Sequence, residues 1–197
     1  MLRKPMAGSD LSFLEGASAE VAPRLLGCLL VRQLKGKILI GRIVETEAYA
    51  QNDAASHSYK GSTQRTEIMF GSAGYLYVYF TYGMHYCANV VTGKSGDGSA
   101  VLIRAVEPLE GIDMMQLNRR GITGGQLTNG PAKFCQAFAI TKTLNGHSLF
   151  APPLQLIPQT AILTQNIVQT TRIGISRAQD VAWRFYEKGN QFVSKKV

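Results

Sequence analysis

Cysteine is scarce in this chain, and the few present are scattered. Cys28, Cys87 and Cys135 are odd in number among 197 residues, with no Cys-x-x-Cys pairing and no histidine cluster beside them. That pattern indicates neither a disulfide framework nor a zinc site, so each is expected as a buried thiol. The three histidines, His57, His85 and His147, have no metal-ligand spacing. Neither a metal nor a cofactor is expected. Long hydrophobic runs are also missing. The longest, such as Leu29–Val31 and Tyr75–Phe80, are far too short to span a bilayer. No long apolar stretch follows the basic residues at the N-terminus, so no signal peptide is read. The expected location is intracellular: cytoplasmic, or nuclear in a eukaryote. The sequence has no Gly-rich loop ending in Lys-Ser/Thr and no Gly-x-Gly-x-x-Gly. It also lacks the His-x-Glu plus Pro-Cys-x-x-Cys pattern of zinc deaminases.

Acidic residues are few as well, 13 against 21 Lys and Arg, for a formal net charge of +8. Such an excess suits a polyanionic partner, whose neutralised phosphates release counterions, although many soluble proteins are basic. At 45% hydrophobic residues the chain is well above the disordered range. One domain over 1–197 is expected, with 1–18 as a loosely ordered start.

The hydrophobic pattern predicts a helix over Ala19–Leu26, then strands over Cys28–Leu34 and Lys37–Tyr49 joined by a tight turn at Lys35–Gly36. Gln51–Glu67 reads as polar loop. Tyr75–Phe80 and Tyr86–Thr92 read as strands with Thr81–His85 between them, and Ser99–Val106 as a strand closed by Glu107-Pro108. Leu109–Asn118 fits a helix, Arg119–Thr128 a glycine-rich loop, and Asn129-Gly130-Pro131 opens a helix to Ile140. Short strands and loops follow, ending in Trp183–Tyr186 and a basic tail. Strands dominate without a βαβ rhythm. The fold class is therefore α+β, with a curved, mainly antiparallel sheet surrounded by helices.

Several clusters are candidates for chemistry. Glu45 and Glu47 close an apolar strand and share one face of an extended chain. They are either solvated strand-end charges or, as the apolar lead-in Ile38–Val44 favours, a partly enclosed acid/base pair. Tyr75, Tyr77 and Tyr79 alternate onto one face, where strand packing explains Tyr75 and Tyr77. Tyr82, at a tip that Gly83 lets bend tightly, suits insertion into a base stack. Asn89 and Arg104 interrupt buried-looking strands and need partners. Arg104 is either a structural ion pair or a partner of Glu47. Lys133, near a helix start, either holds a phosphate or lies on a solvated face. Arg119 and Arg120 leave the same choice open.

Taken together these segments resemble the alkyladenine (3-methyladenine) DNA glycosylases. The resemblance rests on Arg42–Tyr49, Ala55–Ser58, Leu76–Tyr79 with Tyr82-Gly83-Met84, Asn89, Leu102–Gly111, Asn129–Lys133, Arg172–Ile175 and Arg184–Ser194. These occur in the family's order from about Leu25 to Ser194. The resemblance implies Glu47 as general base, with Arg104 and the carbonyl of Ile173 holding the attacking water. Tyr49 would stack on one side of a flipped purine, with His57 and Tyr79 on the other. Asn89 would disfavour the exocyclic amino group of normal guanine. Tyr82 would fill the gap left by the base, and Met84, Thr63, Arg65 and Lys133 fall among the DNA contacts. Two departures touch DNA affinity and loop rigidity: Ser62–Thr66 differs from the family's usual Arg-Thr-Pro-Arg-Asn, and Thr171 stands where Pro is usual. The activity implied is a monofunctional glycosylase that acts as a monomer on duplex DNA with a damaged purine and has no lyase step. Two other readings remain at this point: a binding module without catalysis, and a hydrolase of RNA or free nucleosides.

Overall fold

The computed structural model describes residues 10–81 and 83–194. Two residues, Lys35 and Gly36, form the first hairpin, and both have positive φ, 49° and 75°. That geometry matches the right-handed twist of the strands it joins. It sets Leu34 opposite Lys37, pairing β1 (Leu29–Leu34) with β2 (Lys37–Tyr49) as the sequence predicts. The next strands are β3 (Leu76–Thr81), β4 (His85–Thr92), β5 (Ser99–Glu110), β6 (Leu154–Ile157), β7 (Ile167–Thr170) and β8 (Arg184–Glu187). All pair antiparallel in one 8-stranded sheet ordered β3-β4-β5-β2-β1-β6, with β8 joining β2 and β7 joining β8. The helices are α1 (Ser18–Arg24), α2 (Ile112–Asn118) and α3 (Pro131–Ala137). The expected α+β class with a curled antiparallel sheet is what forms.

β2 is the axis of the sheet. Its first half pairs with β1 as far as Arg42, and its last part, Glu45–Glu47, pairs with β8. β5 runs along its other edge throughout, with register shifts around Ile40/Gly41, Ile43/Glu45 and Glu45/Thr46. Bulges of this kind bend a strand and re-aim its side chains. Here they fall where Glu45 and Glu47 must turn inward. α1 is tied to the same strand by the Thr46 hydroxyl, which donates to the Ala22 carbonyl at 2.9 Å. The core lies between the sheet and the helices, with Leu14, Leu25, Ile43, Phe134 and Phe138 among its fully buried members.

Several boundaries differ from the sequence reading. β5 does not stop at Glu107-Pro108 but continues to Glu110, with Pro108 opposite Gly41 beside a bulge. At a bulge the ladder is already interrupted, so the missing proline N–H costs little. α2 consequently begins at Ile112 rather than Leu109, and α3 ends at Ala137, before Ala139 turns to φ 50°. Within the start expected to be loose, Leu11 and Leu14 are buried in the core, because a short turn over Ser12–Glu15 folds them against α1 and the sheet. All three cysteines are buried and free, as expected. Among the described residues no helix is long and apolar enough to cross a membrane.

Gly111 turns the chain from β5 into α2 with φ 74°. A Cβ at this position would stand 2.5 Å from the Ile38 carbonyl oxygen, a backbone atom that cannot step aside. Gly111→Ala is therefore expected to lower stability by more than about 1 kcal/mol, from strain and overpacking together. Urea denaturation should show a reduced midpoint with unchanged slope. Gly36→Asn, in a turn where nothing lies within 4 Å of the missing Cβ, should be close to neutral.

Candidate active site

The bulged end of β2 places two carboxylates inside the protein. Glu45 and Glu47 are both fully buried, which rules out the solvated strand-end reading. One guanidinium serves both: Arg104 on β5 reaches Glu45 Oε1 through Nε at 3.2 Å and Glu47 Oε2 through Nη1 at 3.1 Å. Burial alone would lower the affinity of Arg104 for its proton, but Glu47 and Glu45 beside it hold the guanidinium above its ordinary pKa. The alternatives left open for Arg104 thus merge, since it is a structural ion pair and a partner of Glu47 at once.

The two carboxylates differ in what else surrounds them. Glu45 is enclosed by scaffold: Arg184 Nε donates to its Oε1 at 2.7 Å, and Ser194 donates its hydroxyl to Oε1 at 2.8 Å and its backbone N–H to Oε2 at 2.7 Å. Glu47 is enclosed by groups that also face a cavity. The Tyr49 hydroxyl donates to its Oε2 at 2.9 Å, and the Ile173 backbone N–H donates to its Oε1 at 2.8 Å. Ile173 thus meets Glu47 through its amide, a contact additional to the water-holding part that the resemblance implies for its carbonyl. Tyr49, its hydroxyl pushed well above the usual range by burial and then by Glu47, stays a neutral donor.

The cavity has a volume of about 530 Å³, and its walls include Tyr49, His57, Tyr79, Asn89, Arg104 and Ile173. This size is typical of small-molecule pockets. Glu47 lies directly behind the floor, held by three lining residues. Within the lining, the His57 and Tyr79 rings meet edge to face at 4.5 Å. His57 Nδ1 is 3.0 Å from the Tyr77 hydroxyl, so Tyr77, packed in the sheet with Met69 and Val91 as expected, also belongs to the cavity wall. Tyr75, ahead of β3, is partly exposed. Burial, and then Arg65, lowers the pKa of His57, which keeps the ring neutral near pH 7. Asn89 is buried and donates from Nδ2 to the Tyr77 carbonyl at 3.1 Å.

The expected DNA contacts sit apart from this floor. Arg65 stands over the Tyr79 ring at 5.8 Å. Thr63 and Thr66 exchange bonds across the altered loop, with hydroxyl oxygens 2.9 Å apart and the Thr63 N–H donating to Thr66 at 3.0 Å. Lys133 donates to Gln126 Oε1 and to Asn129 Oδ1, the latter at 2.8 Å. Arg119 is committed to Gln136 and the Gln126 carbonyl. Met84 is strongly exposed at the β3–β4 tip, while Tyr82 lies outside the described residues. A smaller hollow of about 290 Å³ shares His57 and Arg177 with the cavity and adds Lys60 and Arg65.

Two partnerships escaped the sequence reading. Arg172 is paired with Asp53 through both guanidinium nitrogens, and it donates to the Ala48 carbonyl at 2.9 Å. Its charge lies 4.7 Å from the Tyr49 ring centre and 5.4 Å from that of Trp183. Arg184 is the second cation on Glu45. Each arginine has its carboxylate partner far away in sequence, and only the long-range pairing shows why they are buried. No group of three or more His, Cys, Asp or Glu side chains among the described residues could hold a metal ion.

The family model for methylpurine-DNA glycosylase matches residues 12–191. A protein of Carboxydothermus hydrogenoformans named "Putative 3-methyladenine DNA glycosylase" is 54% identical over 89% of this chain and 93% of its own length. Proteins of the same name from Methanoculleus marisnigri and Francisella tularensis are 49% and 52% identical, covering 94% and 90% of this chain and 97% and 93% of theirs. A match of that length takes in every strand that builds the cavity and both buried carboxylates, and on it this chain belongs to the methylpurine-DNA glycosylase family.

Proposed function

We propose that this protein is a monofunctional DNA glycosylase that flips alkylated or deaminated purines out of duplex DNA and hydrolyses their bond to the sugar. The observation that carries this reading is Glu47, a buried carboxylate held by Arg104, Tyr49 and the Ile173 amide behind a cavity walled by aromatic rings. Breaking an N-glycosidic bond builds positive charge on the sugar, as in glycoside hydrolysis. A fixed carboxylate opposes that charge without reorganising and accepts the proton of the attacking water. Tyr49 stacks on one face of the extruded purine, with His57 and Tyr79 against the other. This wall offsets part of the few kcal/mol that flipping costs. The Lys60, Arg65 and Arg177 side chains beside the mouth suit backbone phosphates, which position without reading sequence. Among the described residues that line the cavity none is a lysine, in keeping with water rather than a Schiff base as nucleophile. The product is an abasic site.

A non-catalytic binding module would have no need for a carboxylate desolvated behind the floor of its pocket. An enzyme acting on free nucleosides would have no use for the cationic hollow or the exposed Met84 tip.

Glu47→Gln is expected to slow base release from methylated duplex by at least about 10²-fold, the usual contribution of a general base, while lesion binding persists. Single-turnover release beside a binding titration checks this, and near-normal release would remove Glu47 from its role. With its pKa lowered by burial, His57 is already neutral near pH 7, so release of a cationic methylpurine should be flat from about pH 7 to 8. Hypoxanthine, which must be protonated to leave, should be released more slowly as pH rises. Asn89→Ala opens space beside the purine edge, and its release of guanine-type bases relative to adenine-type bases should rise by about tenfold. Competition between two labelled duplexes measures that ratio.

A further inference from the structure

Arg172 and Asp53 form an ion pair for which base removal has no evident use. Both side chains are almost entirely out of water, 0% and 2% exposed. Tyr49 lines the cavity, but Arg172 does not. The guanidinium therefore lies over the ring face that the cavity does not use, 4.7 Å from its centre, and also 5.4 Å from the ring centre of Trp183. A cation behind an aromatic wall draws on the same ring quadrupole that a cation in front of it would use. It also repels that second cation through space.

We infer that Asp53 is a specificity-determining residue, whose carboxylate balances Arg172 behind Tyr49 so that the wall accepts a positively charged purine. The inference rests on the function proposed above. Purines alkylated at N3 or N7 are cationic when they bind, whereas hypoxanthine binds neutral and gains its proton only on leaving, so the balance bears on the capture of one class and not of the other. Arg172 cannot simply be dispensed with. It ties Tyr49 to the Ala48 carbonyl and immediately precedes Ile173, whose amide holds Glu47. Asp53 in turn accepts the Ala55 N–H at 3.0 Å at the start of the turn leading to His57. The pair thus joins the two walls of the cavity, and its charges cancel where the base is to sit. A base stacked about 5 Å from the ring centre would lie about 10 Å from the guanidinium, where one unbalanced charge in a partly enclosed site alters the binding of a cation by about tenfold.

Asp53→Asn keeps the acceptor for Ala55 and one for Arg172 but removes the charge. The affinity for a duplex carrying 7-methylguanine, a cation, is compared with that for one carrying hypoxanthine, with release of each base measured alongside. Asp53→Asn is expected to lower the cationic-to-neutral ratio by about tenfold, and Arg172→Gln, which leaves the carboxylate alone, to raise it. The double variant, with both charges gone, should return the ratio close to that of the unaltered protein. Either single variant suffices to test the sign if the other fails to fold. Parallel loss on both lesions, or a double variant that stays shifted, would show a purely structural pair and overturn the inference. If the unaltered protein releases neither base, the proposed function itself falls, which is a different result from normal release with unmoved ratios.

Discussion

Two carboxylates and two guanidiniums are withdrawn from water at the end of β2, and little else in the molecule makes sense without them. Taking such charges out of water costs several kcal/mol for each ion, and their mutual attraction offsets this only when the geometry is good and the remaining lone pairs are filled. Glu45 meets that condition, with Arg104, Arg184 and both donors of Ser194 around it. Removing either arginine leaves the cluster one positive charge short, a loss of about 3–5 kcal/mol in comparable pairs. The cluster therefore fixes more of the fold than its size suggests. It requires β8 to lie against β2, since Arg184 opens that strand. It requires the segment after β8 to return across the sheet so that Ser194 can reach Glu45. It also requires the register shifts that turn both glutamates and Arg104 toward one another.

Glu45 and Glu47 share a guanidinium but not a purpose. Glu45 is surrounded by groups that lead back into the scaffold, whereas every described partner of Glu47 also lines the cavity. The first carboxylate fixes Arg104, and Arg104 fixes the second. This order places the rigid end of the network in the sheet and its working end at the pocket, as preorganised electrostatics requires. The aromatic wall is held in the same indirect way, with Tyr49 set by its bond to Glu47 and by the Arg172 guanidinium, and His57 set by Tyr77.

The frame of the fold was legible in the sequence where the signal is local. Alternating apolar residues and the Lys35–Gly36 turn specify the first hairpin, and Pro131 specifies the start of α3. The apolar lead-in to Glu45 marks β2 as central, and the scatter of the cysteines marks them as buried thiols. Local signals failed where a long-range contact decides. Pro108 reads as a strand end, yet the bulge opposite Gly41 lets the strand continue. Asp53 reads as one polar residue in a loop, and only the fold brings it to Arg172, 119 positions away. Tyr77 reads as sheet packing because nothing nearby announces that His57 needs its hydroxyl. The resemblance located the residues gathered at the cavity, and the bond from the Ile173 amide to Glu47 is added by the fold. The composition of the 50–66 segment marks it as loop, and its rigidity comes from Thr63, Thr66 and Asp53 contacts that composition does not display.

The placement of loops and strands around the cavity follows from what each can hold. A strand with partners on both sides cannot shift, so groups that must be positioned to a fraction of an ångström are carried on β2 and β5. His57, Arg65, Ile173 and Arg177, by contrast, all lie on segments between strands. Such segments move unless something anchors them. Here the anchors are buried charges once more: Asp53 and Arg172 fasten the loop bearing His57 to the loop bearing Ile173, directly behind the ring between them. A protein of 197 residues has little core to spare, and this one places desolvated ion pairs at the two points where its chemistry tolerates least displacement. Stability and site geometry are thus set by the same contacts, and a change that loosens either ion pair acts on both.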